Sequence, residues 1–200
     1  MPLWGTTHDS ATNKPKWAPT DEDSDNKRGD IYATNAGWVQ AAGTAASGND
    51  NASADPEVLV AIGMLAGTSA STGLKTPTVT SMRYVQASYA AGSRTITVEL
   101  TWDEAVTVAG APYIAVQNSG SGRGPHNLAY TATGSTANRK RFTLAAVTIV
   151  AADELHLGLN NVTLNGGTIS DTLVGGTTLA ASVQVSHLNG GAAIVKTVTA

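Results

Sequence analysis

The chain contains no cysteine, which excludes disulfides, thiol chemistry and cysteine-ligated zinc. A protein so composed belongs in a reducing compartment or is stabilised by something other than covalent staples. Lys and Arg number 12 against 15 Asp and Glu, and they form no long block. Nucleic acid is therefore not an expected partner, because phosphate neutralisation needs clustered cations. No apolar run approaches the roughly 18–20 residues that a membrane span requires, so no membrane partner is expected either. The first residues lack a basic segment followed by an apolar stretch, so no secretory leader is expected. Aromatic residues make up only 5% of the chain, whereas glycine fills 21 positions. Ala, Thr, Ser and Val dominate the rest, the composition of short strands joined by tight turns.

The chain divides by composition. Residues 1–50 hold little that forms a core: Pro2, Pro15 and Pro19 interrupt helices, and a mixed-charge stretch runs from Asp21 to Asp30. Three of the four tryptophans nevertheless fall here, at Trp4, Trp17 and Trp38. Disordered tails are usually poor in tryptophan. Tryptophans spaced along a polar arm fit a segment whose anchors dock on another surface. The expected anchors are Leu3, Trp4, Trp17, Ile31, Tyr32 and Trp38. In residues 51–76, Asp55 and Pro56 make a reasonable helix start, with Val58, Leu59, Ile62 and Leu65 on one helical face. Val58, Leu59 and Val60 equally begin a buried strand, and pattern leaves the choice open. The stretch from Gly67 to Pro77 reads as a linker.

From about residue 78 the period changes to two. Ile96, Val98, Leu100 and Trp102 point one way while Thr95, Thr97, Glu99 and Thr101 point the other, the mark of a half-buried strand. Further short strands are expected at 106–108, 113–117, 128–133, 141–144, 155–159, 162–164, 183–187 and 194–198, with turn signals such as Asn165-Gly166-Gly167 between them. This spacing predicts a mainly β fold, an antiparallel sandwich over 77–200, preceded by an extended arm (1–50) and a short helix or strand with linker (51–76).

No constellation for chemistry emerges. His8, His126, His156 and His187 lack metal-ligand spacing. Asp103 and Glu104, like Asp153 and Glu154, are adjacent and on a strand would face opposite sides, so neither pair works as an acid–base couple. Either pair fits a calcium site at a sandwich edge, and solvated turn residues are the favoured reading. The loop Gly120-Ser121-Gly122-Arg123-Gly124 lacks the following helix of a phosphate cradle and reads as flexible. Arg139-Lys140-Arg141 reads as a solvated hairpin end. No cofactor, no metal and no catalytic residue is expected.

Two resemblances add to this. Trp102-Asp103-Glu104-Ala105-Val106-Thr107-Val108-Ala109-Gly110-Ala111-Pro112, with Leu164-Asn165-Gly166-Gly167-Thr168-Ile169-Ser170-Asp171, resembles the immunoglobulin-like repeats of large bacterial surface proteins. It implies a sandwich module and no chemistry. Pro2-Leu3-Trp4-Gly5, Asn13-Lys14-Pro15-Lys16-Trp17, Ala36-Gly37-Trp38-Val39 and the stretch Glu57 to Met64 are similar, in order, to segments of virion structural proteins of tailed cyanobacterial phages. The chain departs from that family over residues 40–56, where an Ala/Gly/Asn-rich stretch replaces a basic one. Together they imply a non-enzymatic virion protein, made in the host cytoplasm, that decorates or cements the capsid. Its arm would dock on the major capsid protein or another virion protein, with neighbouring copies of itself as further partners. The alternative is a surface adhesion module binding host carbohydrate through the loops at 118–127 and 133–140, with Tyr89, Tyr113 and Tyr130 as candidate stacking rings.

Overall fold

The computed structural model describes residues 27–43, 51–66, 74, 76–172 and 178–200. The protein is mainly β: the described residues form fourteen strands and two short 3-10 turns, with no α-helix among them.

Strands β1 (Ile31–Thr34) and β2 (Gly37–Gln40) make an antiparallel hairpin, with Ile31 opposite Gln40 and Thr34 opposite Gly37. The turn is closed by Thr34, whose hydroxyl accepts the Ala36 N–H at 3.2 Å and donates to the Gly37 carbonyl at 3.1 Å. Gly37 has φ +129°, and a Cβ there would lie 2.0 Å from the Val60 carbonyl oxygen, so only glycine fits. Strand β3 (Glu57–Ala61) pairs antiparallel with β2, which settles the open choice at 53–66. The β-branched Val58 and Val60 suit a strand, and β2 offers the pairing edge that a lone helix would lack. Residues 31–40 are thus a folded hairpin and not the extended arm expected there. Ile31, Ala33 and Trp38 pool with Leu65 and Leu74 in a small core that residues 1–50 could not build alone.

The body contains β4 (Val79–Tyr84), β5 (Tyr89–Ala90), β6 (Gly92–Trp102), β7 (Thr107–Ala109), β8 (Tyr113–Asn118), β9 (His126–Thr131), β10 (Arg139–Ile149), β11 (Glu154–Leu157), β12 (Thr168–Thr172), β13 (Thr178–Ala180) and β14 (Ile194–Thr199). Eight of these form one sheet in the order β4-β6-β10-β9-β8-β11-β14-β5, antiparallel except for β14 with β5. Strands β4 and β5 are joined by a few residues yet close opposite ends of that order. The sheet must therefore curl until its ends meet, and the rings of Tyr84 and Tyr89 touch edge to face there at 5.8 Å. A three-stranded sheet, β13-β12-β7, completes the body.

The core gathers Ile96, Val98, Leu100 and Trp102 of β6, all 0% exposed, with Ile114, Leu128, Phe142 and Leu155. Trp102 also donates its indole N–H to the Ser182 carbonyl at 3.0 Å. Two expected strands are absent. Residues 162–164 contribute a single bridge, Thr163 to Tyr113, and 183–187 form no strand, although the Val183 carbonyl accepts the Val162 N–H at 3.1 Å. Strands β12 and β13, which local alternation does not signal, pair with each other, and β12 also pairs with β7.

Candidate interaction site

The face of β6 opposite the core was expected to be solvated, but Glu99 and Thr101 on it are each 1% exposed. The reason lies in cross-strand register. Arg83 of β4 and Arg141 of β10 both stand opposite Glu99, and Arg139 stands opposite Thr101. Directly opposed residues share a sheet face, so three guanidiniums converge over one carboxylate. Arg83 donates from Nε and Nη2 to Glu99 Oε1 at 3.0 and 2.8 Å, and Arg141 donates from Nε to Oε2 at 3.0 Å. Arg139 Nη1 lies 3.6 Å from Glu99 Oε1, and its Nη2 lies 2.8 Å from Oδ1 of Asp30. Burial alone would push the Glu99 carboxyl up, but Arg139, Arg83 and Arg141 together hold it below the usual range.

This cluster ties the N-terminal hairpin to the body. Besides the Asp30–Arg139 pair, the fully buried Asn138 donates from Nδ2 to the Gly29 carbonyl at 2.8 Å and to the Trp102 carbonyl at 3.1 Å. The Ala33 N–H donates to the Asp103 carbonyl at 2.7 Å, and Ala33 forms a parallel bridge with Glu104. A groove of about 630 Å³ at the join is lined by Tyr32, Arg83, Arg139 and Arg141 together with small residues such as Ala42 and Ala54.

Of the expected anchors, Leu3, Trp4 and Trp17 lie outside the described residues. Ile31 and Trp38 are 0% exposed and Tyr32 is 6% exposed, so these three are not free surface anchors. Ile31 and Trp38 fill the small core. Tyr32 turns to the other face, where burial raises its phenol.

The acidic pairs also depart from expectation. Asp103, Glu104 and Asp153 are buried, not solvated turn residues. Asp153 accepts from Arg123 Nε at 2.9 Å, Asn118 Nδ2 at 3.1 Å and the Val150 N–H at 3.1 Å. The loop expected to be flexible is therefore pinned through Arg123. The hydrogen bonds from Arg123, with help from Val150 and Asn118, hold the Asp153 carboxyl well below the usual range. His126 meets Asn118 at 3.2 Å, and burial lowers its pKa. His156 pairs with Glu154 at 3.3 Å and His187 meets the Val79 carbonyl at 2.8 Å. Among the described residues no three His, Cys, Asp or Glu side chains are grouped to hold a metal ion.

The Glu99 cluster carried no local signal. Its partners come from positions 16 and 42 residues away, and only the register of three strands assembles them. Arg139 and Arg141, expected at a solvated end, are its working members. No protein-family model, no curated protein and no solved structure matches the chain.

Proposed function

We propose that the chain is a structural protein of a phage virion, a capsid decoration or cement protein with no catalytic role. In this reading residues 77–200 form an immunoglobulin-like sandwich, and the segment ahead of Lys27 docks on the major capsid protein. The four ordered blocks similar to virion proteins supply the identity of the partner. The observation that carries the architecture is the join between hairpin and body. Gly29, Asp30 and Ala33 are all tied to the body, so the chain upstream of them leaves from a rigid base. Leu3, Trp4 and Trp17 then stand as the docking residues, and Ile31, Tyr32 and Trp38 build their mount.

The mechanism is mass action. Binding energy available only to the assembled shell shifts the equilibrium away from disassembly, and contacts between neighbouring copies add avidity. The adhesion reading gains less support, because Tyr89 is 3% exposed and the ring of Tyr130 packs against Phe142 at 6.2 Å.

Co-sedimentation with purified undecorated capsids tests the proposal. The full chain should sediment with shells, whereas a Trp4→Ala/Trp17→Ala variant should lose most binding while melting at the wild-type temperature. Shell binding that survives this change would place attachment elsewhere, and no binding by the full chain would end the capsid reading.

A further inference from the structure

Glu104 lies between β6 and β7 and is 2% exposed, yet among the described residues neither of its carboxylate oxygens has a hydrogen-bond partner. The groups that bear on it among the described residues are themselves acidic. Asp103 precedes it, 0% exposed, with Oδ1 accepting the Thr78 N–H at 2.6 Å, and Asp171 acts on it from β12. Strand β1 meets Glu104 through the backbone of Ala33. The turn before β10 comes alongside through the Ala137 carbonyl, which accepts the Val106 N–H at 3.0 Å, and through Asn138. Neither Ala33, Ala137 nor Asn138 titrates. The basic group that follows, Arg139, is committed to Asp30 and Glu99.

A carboxylate anion in this position has no donor and faces like charge, which folded proteins avoid by taking up a proton. The Asn138 Oδ1 is also buried without a partner among the described residues, a neutral acceptor in the same turn region. We propose that Glu104 holds a proton in the folded protein and serves as a catch on the join between the N-terminal hairpin and the body, which its ionisation releases. Solvating the anion requires water to reach the place where Glu104 bridges Ala33, and that parts β1 from the body. Consistent with this geometry, burial, then Asp103 and Asp171, push the carboxyl up to about 9.

The sign follows from linkage. The folded pKa lies above the unfolded one, so the stability is fully present below the ordinary value of about 4.3 and is lost as pH rises toward 9. Between pH 7 and 9 one other perturbed group bears on the profile. Lys140, 7% exposed beside the same turn, is lowered by burial, which acts in the opposite sense as pH rises. It is common to wild type and the Glu104 variant, so their difference reports Glu104. Glu99, Asp153 and His126 are held low, and Tyr84 and Tyr89 are pushed up, Tyr89 to about 12.

The test compares the full chain with Glu104→Gln. Wild-type melting temperature should fall steadily from pH 7 to 9 relative to that of the variant. Hydrogen exchange at the Ala33 amide should rise about 100-fold per pH unit in the wild type, against about 10-fold for base catalysis alone in the variant, since opening is coupled to one proton. Equal pH slopes in the two proteins would overturn the proposal. So would a wild-type melting temperature at pH 8 that rises with calcium chloride and falls with chelator, because a cation would then be neutralising the carboxylate. Should the variant fail to fold, a carboxyl carbon titration of wild-type Glu104 by NMR decides: a midpoint near 4.3 refutes the catch, and one several units higher supports it.

Discussion

Glu99 and Glu104 are close in sequence and equally buried, yet the fold treats them in opposite ways. Glu99 sits on a sheet face where register stacks Arg83, Arg139 and Arg141 over it, and it stays ionised. Glu104 sits just past the end of the same strand, beyond the reach of that ladder, and its acidic neighbours push it toward the neutral form. Burial sets the cost of a charge in both places. What decides the outcome is whether neighbouring strands present a counter-charge at that register position.

One substitution made at both sites sharpens the contrast. Glu99→Gln removes the anion and leaves three guanidiniums, 13–29% exposed, facing one another. Breaking a buried pair on one side costs about 3–5 kcal/mol, and the partial exposure of the arginines puts this case near the lower end. Glu104→Gln replaces a neutral acid with a neutral amide, so urea unfolding at pH 7 should show no loss and a higher midpoint. Destabilisation of similar size at both positions would break the comparison.

The same contrast shows how much of the molecule the sequence made legible. Period two in residues 95–102 correctly placed Ile96, Val98, Leu100 and Trp102 in the core, because alternation is a local property. It also placed Glu99 in water, and that failed, since nothing within the strand reveals that Arg83 and Arg141 will pair opposite it. The mainly β character was readable from composition and turn signals. The hairpin at 31–40 was not, because its core is completed by Leu65 and Leu74 from beyond the polar stretch. Asp103 and Glu104 drew notice as an acidic pair, but their burial depends on β1 laying Ala33 against them. The tryptophans were read as anchors by type, and Trp38 turned out to serve its own chain.

The join itself yields a smaller effect. Asn138→Ala removes two side-chain hydrogen bonds and leaves the Gly29 and Trp102 carbonyls without them. An unsatisfied buried group costs about 1–3 kcal/mol. The loss should be uneven: amide exchange at Ala33, where β1 joins the body, should quicken more than exchange within β6 and β10. Uniform loss of protection would mean that hairpin and body open as one cooperative unit.

The smallest expected effect separates the two ends of the pH profile. Glu99 and Asp153 are both held below their ordinary values, so the stability they lend is present above about pH 4 and drains away as pH falls further. Glu104 works in the reverse direction, its contribution falling away from about pH 4.3 up toward 9. Arg123→Gln takes away the main partner of Asp153, but Arg123 is itself 37% exposed, which screens the pair and keeps the change modest. Thermal melts from pH 2 to 9 should show the Arg123 variant with a shallower acid limb and an unchanged alkaline limb. Glu104→Gln should flatten the alkaline limb and leave the acid one steep. If Arg123→Gln moved the alkaline limb as well, the two carboxylate systems would be coupled through the body, and the opposition between Glu99 and Glu104 would no longer be a matter of local register.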